Sequence, residues 1–245
     1  MSKSSSNTPI ADCSLCPFRS KTLLTGRCMP GDTCLTVASG RQIDRFFRIN
    51  PQYAPQYLHD PFWERRAIAV RYSPLATLSA VMNDEDEVVR RAVAFRLPVH
   101  QLSQFIDDPD REVRMTVADR INPEKLELLA NDVDYIVRLT VAKRLPPGRL
   151  FRFITDDDLQ VRKAVAARLP EVSLGLMKHD KDPEVRRIIA ERIADDEAIE
   201  FLNDEDWMVR YTAARHVPIY ALDILLVDAE PDIRNLAEQR LNKTN

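Results

Sequence analysis

The chain has 245 residues, 44% of them hydrophobic and 30% charged, with a formal net charge of −3. These are ordinary values for a globular protein, and no apolar run approaches the roughly 20 residues that a membrane helix needs. Only five glycines are present, and just Gly148 and Gly175 lie beyond residue 40, too few for the tight turns of a β-sandwich or a doubly wound sheet. An all-α chain is therefore expected.

Met1 to Thr8 is polar and Ser-rich and lacks the apolar core of a signal peptide. A cytoplasmic location is expected, where thiols stay reduced and clustered cysteines favour metal over disulfides. All four cysteines then fall within 22 residues, Cys13, Cys16, Cys28 and Cys34, in the pattern C-x₂-C-x₁₁-C-x₅-C. Four thiolates from so short a segment are a strong metal signal. Residues 1–35 form a region too small to hold itself together by apolar burial, so bound metal would supply folding energy. Cys13-Ser14-Leu15-Cys16-Pro17 reads as a tight chelating turn, and Gly26, Pro30 and Gly31 allow the bends that bring the other sulfurs round. Zinc and iron–sulfur centres both accept four thiolates, and the spacing leaves both open. Arg19, Lys21 and Arg27 would offset the negative charge of either.

Residues 36–59 read as a degenerate helical unit. Ile49, Asn50, Pro51 and Tyr57 fall near the slots of the repeats that follow, but the Asp and Arg of those repeats are missing.

From residue 60 to 245 the sequence repeats every 24 residues, in eight units of which the last is truncated. Asp stands at 60, 84, 108, 132, 156, 180, 204 and 228, and six residues later Arg stands at 66, 90, 114, 138, 162, 186, 210 and 234. Counting from the Asp, a second acid recurs at plus two (Asp86, Asp110, Asp134, Asp158, Asp182, Asp206, Glu230), with Phe62 in the first unit. Plus five, nine and thirteen are mostly Val, Ile, Leu or Ala, as in Val137, Val141 and Leu145, one stripe of an α-helix. The plus-two acid is placed to cap that helix and to oppose its positive dipole end. Pro183 and Pro231 suit the first helical position. Pro74, Pro98, Pro146, Pro170 and Pro218 mark the end, because proline disfavours the α conformation in the residue before it. Apolar residues at plus eighteen and plus twenty-one, such as Leu150 and Phe153, have the spacing of a 3₁₀ turn. Each unit is thus a three-turn α-helix and a short tight helix, and stacking of units makes one continuous core.

The Asp and Arg rows border the apolar stripe. They are expected to cross-link neighbouring units by charge-assisted hydrogen bonds, so that Arg138→Ala or Asp132→Ala destabilises the protein. The competing reading is an exposed arginine face for an acidic ligand. A further Arg recurs at plus twelve, replaced by Tyr72 and His216, and His216 reads as a variant of that row. His59, His100 and His179 read as surface or packing residues.

The unit Asp158-Leu159-Gln160-Val161-Arg162 through Arg168-Leu169-Pro170, with the four-cysteine segment before it, resembles the leucine-rich repeat variant family over almost the whole chain. The resemblance implies a right-handed superhelical solenoid of alternating α- and 3₁₀-helices, and a [4Fe–4S] cluster on Cys13, Cys16, Cys28 and Cys34 rather than zinc. The family is associated with nitrogen-fixing bacteria and has no established biochemical role.

For function, the expectation is a non-catalytic scaffold that binds an unknown protein partner. The alternative is a redox or oxygen-responsive protein whose cluster state modulates that binding. No phosphate-binding loop, dinucleotide fingerprint or nucleophile elbow occurs, so an enzyme is not expected. Residues 1–58 carry seven Lys/Arg against three Asp, while the rest carries 28 against 35, a net −7 that disfavours nucleic acid as a partner. A monomer with no membrane association is expected.

Overall fold

The structure, a computed structural model, describes residues 8–243; the serine-rich start, residues 1–7, lies outside the described residues. The chain divides into two compact units, Met1–Asn122 and Pro123–Asn245. Among the described residues there is no strand, only an isolated antiparallel bridge between Met29 and Thr33.

The first unit opens with a π-helical turn, Arg19–Leu23, and then alternates α- and 3₁₀-helices: α1 (Gly40–Ile49), Pro51–Tyr57, α2 (Trp63–Tyr72), Leu75–Val81, α3 (Glu87–Arg96), Val99–Phe105 and α4 (Arg111–Arg120). The second unit continues with Pro123–Leu129, α5 (Tyr135–Arg144), Pro147–Phe153, α6 (Leu159–Ala166), Glu171–Met177 and α7 (Pro183–Arg192). It ends with α8 (Asp195–Ala198) running into Ile199–Asn203, then α9 (Trp207–Ala214), Ile219–Val227 and α10 (Pro231–Asn242). The all-α class and the alternation of two helix types agree with the sequence reading.

The boundaries have local causes. The plus-two carboxylates cap the helices as expected: Asp86 accepts from the Val88 N–H, Asp110 from Glu112 and Val113, and Asp158 from Gln160 and Val161. Phe62 and Glu230 make no such bond. At the other end Pro98, Pro146, Pro170 and Pro218 sit in extended backbone and turn the chain from α to 3₁₀. Where Ala194 fills the proline slot, the second half of the unit opens as the short α8 instead. The stripe is fully buried at Val89, Val93, Val137, Val141, Val185 and Ile189, as are Leu78, Leu102, Leu150 and Leu222 of the tight helices.

Within each compact unit, two arginine ladders tie each 24-residue repeat to its neighbour. The plus-six arginine grips the Asp of the next unit with two parallel bonds: Arg90 Nε and Nη2 reach Asp108 Oδ2 and Oδ1 at 2.8 and 2.9 Å. Its Nη1 donates to the carbonyl of its own unit's Asp84 at 2.9 Å. Asp108 Oδ1 accepts in turn from the Asp110 N–H at 2.9 Å, so one carboxylate joins a neighbour and shapes its own turn. The same pattern holds at Arg66–Asp84, Arg138–Asp156, Arg186–Asp204 and Arg210–Asp228, with Arg162 reaching Asp180 through Nε. These side chains are largely buried, Arg162 and Asp180 showing 4% and 5% exposure.

The plus-twelve arginines reach back to carbonyls at the end of the preceding α-helix, which has no intrahelical partner for its last four C=O groups. Arg192 donates to the carbonyls of Ala166 and Leu169, and Arg168 to those of Ala142 and Leu145. Positive charge there also opposes the negative end of the helix dipole. His216 takes over this duty: its Nε2 lies 2.6 Å from the Ala190 carbonyl and its Nδ1 2.9 Å from Asp195. Tyr72 instead donates its hydroxyl to Asp44 at 2.8 Å. The ladders are thus internal cross-links, not an exposed arginine face.

Candidate iron–sulfur centre

The cysteine loops are built from short-range backbone contacts. Asp12 Oδ1 accepts from the Ser14 N–H at 2.8 Å and fixes the turn that starts at Cys13. The Arg19 N–H bonds the Cys16 carbonyl at 3.0 Å, so Cys16 leads straight into the π-helical turn Arg19–Leu23. Gly26 (φ 70°) and Gly31 (φ 81°) are the positive-φ residues among those described, conformations that glycine adopts without steric cost. Gly31 lies within the turn closed by the Met29–Thr33 bridge, whose N–H···O contacts measure 2.9 and 2.8 Å. That turn brings the chain back between Cys28 and Cys34, as the glycine and proline spacing predicts.

The thiols are free; Cys34 is buried and the other three are half-buried. Loss of hydration, followed by the charges of Cys16, Cys34 and Cys28, pushes the Cys13 thiol above its ordinary value. Four sulfur donors on one short segment match the ligand set of an iron–sulfur core, whose positive charge favours the thiolate form on binding. No three His, Cys, Asp or Glu among the described residues are grouped for a single metal ion. Arg19, Lys21 and Arg27 are exposed nearby. None of the three has an acidic partner among the ion pairs of the described residues, whereas Arg41 and Arg45 pair with Asp32 and Arg48 with Asp44.

Several contributors are not apparent from the cysteine spacing. The Thr36 hydroxyl lies 3.3 Å from Cys34 Sγ. Phe18 is the anchor of the segment: its ring meets Phe46 at 5.3 Å, Tyr53 at 5.1 Å and Tyr57 at 6.4 Å. Asn50, fully buried, donates from Nδ2 to the Arg27 carbonyl at 2.8 Å, and Arg27 returns a bond to the Ile49 carbonyl at 2.7 Å. The one available signal was that Phe18 is the sole aromatic residue between Cys13 and Cys34.

The degenerate unit is present but slipped. One residue, Asn50, separates α1 from its 3₁₀-helix, where Ser73 and Pro74 separate α2 from the next. Helix α1 consequently buries Gln42, Ile43, Phe46 and Phe47. Arg41, which a strict 24-residue frame would place in the stripe, is exposed, and the next stripe residue, Arg45, is partly so.

Fold and site together define a helical-repeat protein with a four-cysteine segment at the N-terminal end of its repeats. The family described as "LRV protein FeS4 cluster" matches residues 9–56, which hold all four cysteines. A solved structure described as "a leucine-rich repeat variant with a novel repetitive protein structural motif" is 60% identical, with a TM-score of 0.92; the match covers 96% of this chain and 100% of that one. An uncharacterized 27.7 kDa protein in the nifB 3′ region of Rhodobacter capsulatus is 37% identical over 87 residues, 36% of this chain. This match spans about a third (35%) of the length of that curated relative. The chain belongs to the leucine-rich repeat variant family, and its N-terminal segment matches that family's iron–sulfur segment.

Proposed function

We propose that this chain is a non-catalytic protein-binding scaffold in which Cys13, Cys16, Cys28 and Cys34 hold a [4Fe–4S] cluster. The supporting observation is how the repeats use their residues. Charged and apolar positions of the frame are consumed in cross-links and core, while outward positions vary and several carry large apolar side chains. Leu176, Tyr220 and Ile224 on the tight helices are 63%, 72% and 50% exposed. A rigid frame with variable outward positions suits recognition of another protein. The ladder guanidiniums are occupied by carboxylates and carbonyls, which weighs against nucleic acid. No helix among the described residues is long and apolar enough to cross a membrane. The position of the Rhodobacter relative beside nifB supports a link to nitrogen fixation. The test is affinity capture from a nitrogen-fixing cell with wild type and with Leu176→Glu/Tyr220→Lys. A partner retained by the first and lost by the second, at equal melting temperature, is expected; equal retention removes this face as the binding surface.

A second reading, a redox or oxygen-responsive protein, is favoured by the half-exposure of Cys13, Cys16 and Cys28, which leaves the site open to small oxidants. A reversible reduction potential together with partner affinity that changes on oxidation would support it. When bound, the cluster supplies one-electron chemistry; the chain supplies the thiolates and the Thr36 hydroxyl beside Cys34.

A further inference from the structure

In the first unit α2 packs on α1, α3 on α2 and α4 on α3. Helix α1 alone has no regular unit before it; the cysteine segment takes that place. Of its buried side chains, Phe47 meets Tyr72 of α2 at 6.3 Å. The row Gln42 and Phe46, four residues apart on the helix, meets the cysteine segment. Phe18 packs on Phe46, Gln42 Nε2 donates to the Pro9 carbonyl at 2.8 Å, and the Cys34 N–H donates to the Gln42 carbonyl at 3.3 Å.

The segment has little interior of its own. From residue 8 to 37 only Phe18, Thr22, Thr33, Cys34, Leu35 and Val37 are buried. Its most deeply inserted ring belongs to the aromatic group on α1 and Pro51–Tyr57, and one of the six is itself a cysteine of the site. Such a segment does not close on itself by apolar burial. Its order depends on what joins the four sulfurs and on its grip on α1.

We propose that the cysteine segment is the cap of the repeat stack and that the cluster is its latch. With the cluster bound, residues 9–37 cover Gln42 and Phe46. Without it they lift, and the aromatic end of α1 is uncovered while the distant repeats stay folded. This rests on the reading that the four cysteines hold an iron–sulfur cluster. When the cluster comes apart its irons pass to the chelator without change of oxidation state, its inorganic sulfides leave protonated as hydrosulfide, and the four freed thiolates take up protons from water. Coupling of this kind is reciprocal in binding free energy: whatever weakens the grip of Phe18 weakens the hold on the cluster, and with the cap open more of the time a chelator reaches the iron sooner.

Hydrogen exchange on the purified holoprotein and on protein stripped of iron by a chelator, both kept anaerobic and reduced, reads the cap directly. On stripping, the amides of Phe46, Phe47 and Asn50 are expected to exchange about tenfold faster or more, as for a locally opened element, with residues 135–242 unchanged. Unchanged exchange in α1 overturns the proposal, and so does wholesale opening of residues 135–242. Phe18→Ala supplies a second arm in the holoprotein, with faster release of iron to the chelator at unaltered exchange in α5–α10. An unaltered release rate overturns the latch. Failure of the underlying reading looks different: purified protein carrying neither iron nor acid-labile sulfide.

Discussion

The regular repeats hold their shape by redundancy, the cysteine segment by single contacts. Arg66, Arg90, Arg138, Arg186 and Arg210 each make the same two-pronged bond to the next Asp. Asp86, Asp110, Asp158 and Asp206 each cap a helix in the same way. Losing one leaves the rest in place, because in a stack each unit contacts only its neighbours. The segment before α1 has one aromatic anchor, Phe18, one bridge, Met29–Thr33, and one set of four thiols. Damage is therefore graded in the repeats and all-or-none in the segment.

Cys16→Ala breaks the comparison most sharply. It is expected to abolish visible absorption and bound iron and to open residues 8–37 to limited proteolysis, while the repeats keep their helical circular dichroism. If the repeats unfold together with the segment, the two regions are one cooperative body and the contrast fails. Arg162→Ala comes next. It leaves the Asp180 carboxylate buried without its partner, and breaking such a pair costs about 3–5 kcal/mol. Urea unfolding should register that loss; a variant within about 0.5 kcal/mol of wild type, the range of ordinary surface changes, would refute the cross-linking role.

Acid probes three of the ladder carboxylates together, Asp156, Asp204 and Asp228. Arg210 hydrogen bonds hold the Asp228 carboxyl below its ordinary value. At Asp156 and Asp204 burial pushes upward, but Arg138 and Arg186 and the backbone N–H groups outweigh it, and both carboxyls end below the usual range. As pH falls through about 3.9 the unfolded chain takes up these protons first, which favours unfolding. The contribution of these three carboxylates is complete above about pH 5 and drains away as pH drops below 4. Urea midpoints measured from pH 6 to pH 3 should show this fall, and Asp228→Asn should flatten it.

The repeats were legible because one geometry recurs. A ladder Asp must satisfy both a neighbour's guanidinium and its own turn, so no other residue replaces it at Asp84, Asp108 or Asp156. Even the substitution at His216 was readable as a variant of its row, since an imidazole nitrogen still meets the Ala190 carbonyl. The slip in α1 was not legible. A 24-residue frame assigns Arg41 and Arg45 to the core, and only the single-residue link at Asn50 moves Gln42 and Phe46 there instead. The four cysteines were legible as a set, but their approach depends on two positive-φ glycines and the Met29–Thr33 bridge. Phe18 makes its contacts with residues 28 to 39 positions away, beyond any local pattern.

A smaller effect sharpens the comparison within the repeats. Asp158→Ala removes the acceptor for the Gln160 and Val161 N–H groups, at 2.8 and 3.3 Å. Loss of an N-cap of this type costs about 1 kcal/mol, well below the cost of Arg162→Ala. Equal costs for the two would mean that the helix start, not the link between units, sets stability there.

The smallest change concerns the segment. Thr36 is exposed, but its hydroxyl is 3.3 Å from Cys34 Sγ, the one buried thiol. If Cys34 ligates the cluster, its sulfur carries negative charge that increases on reduction, and a donor hydroxyl stabilises the reduced form more than the oxidised one. Thr36→Val keeps the branched shape and removes the donor, so it is expected to lower the reduction potential with little change in melting temperature. Thr36→Ser keeps the donor and should retain the wild-type potential. A potential that moves equally in both variants would mean that packing, not the hydroxyl, acts on Cys34. The Val variant alone shifting would show one hydrogen bond tuning a site that the repeats leave untouched.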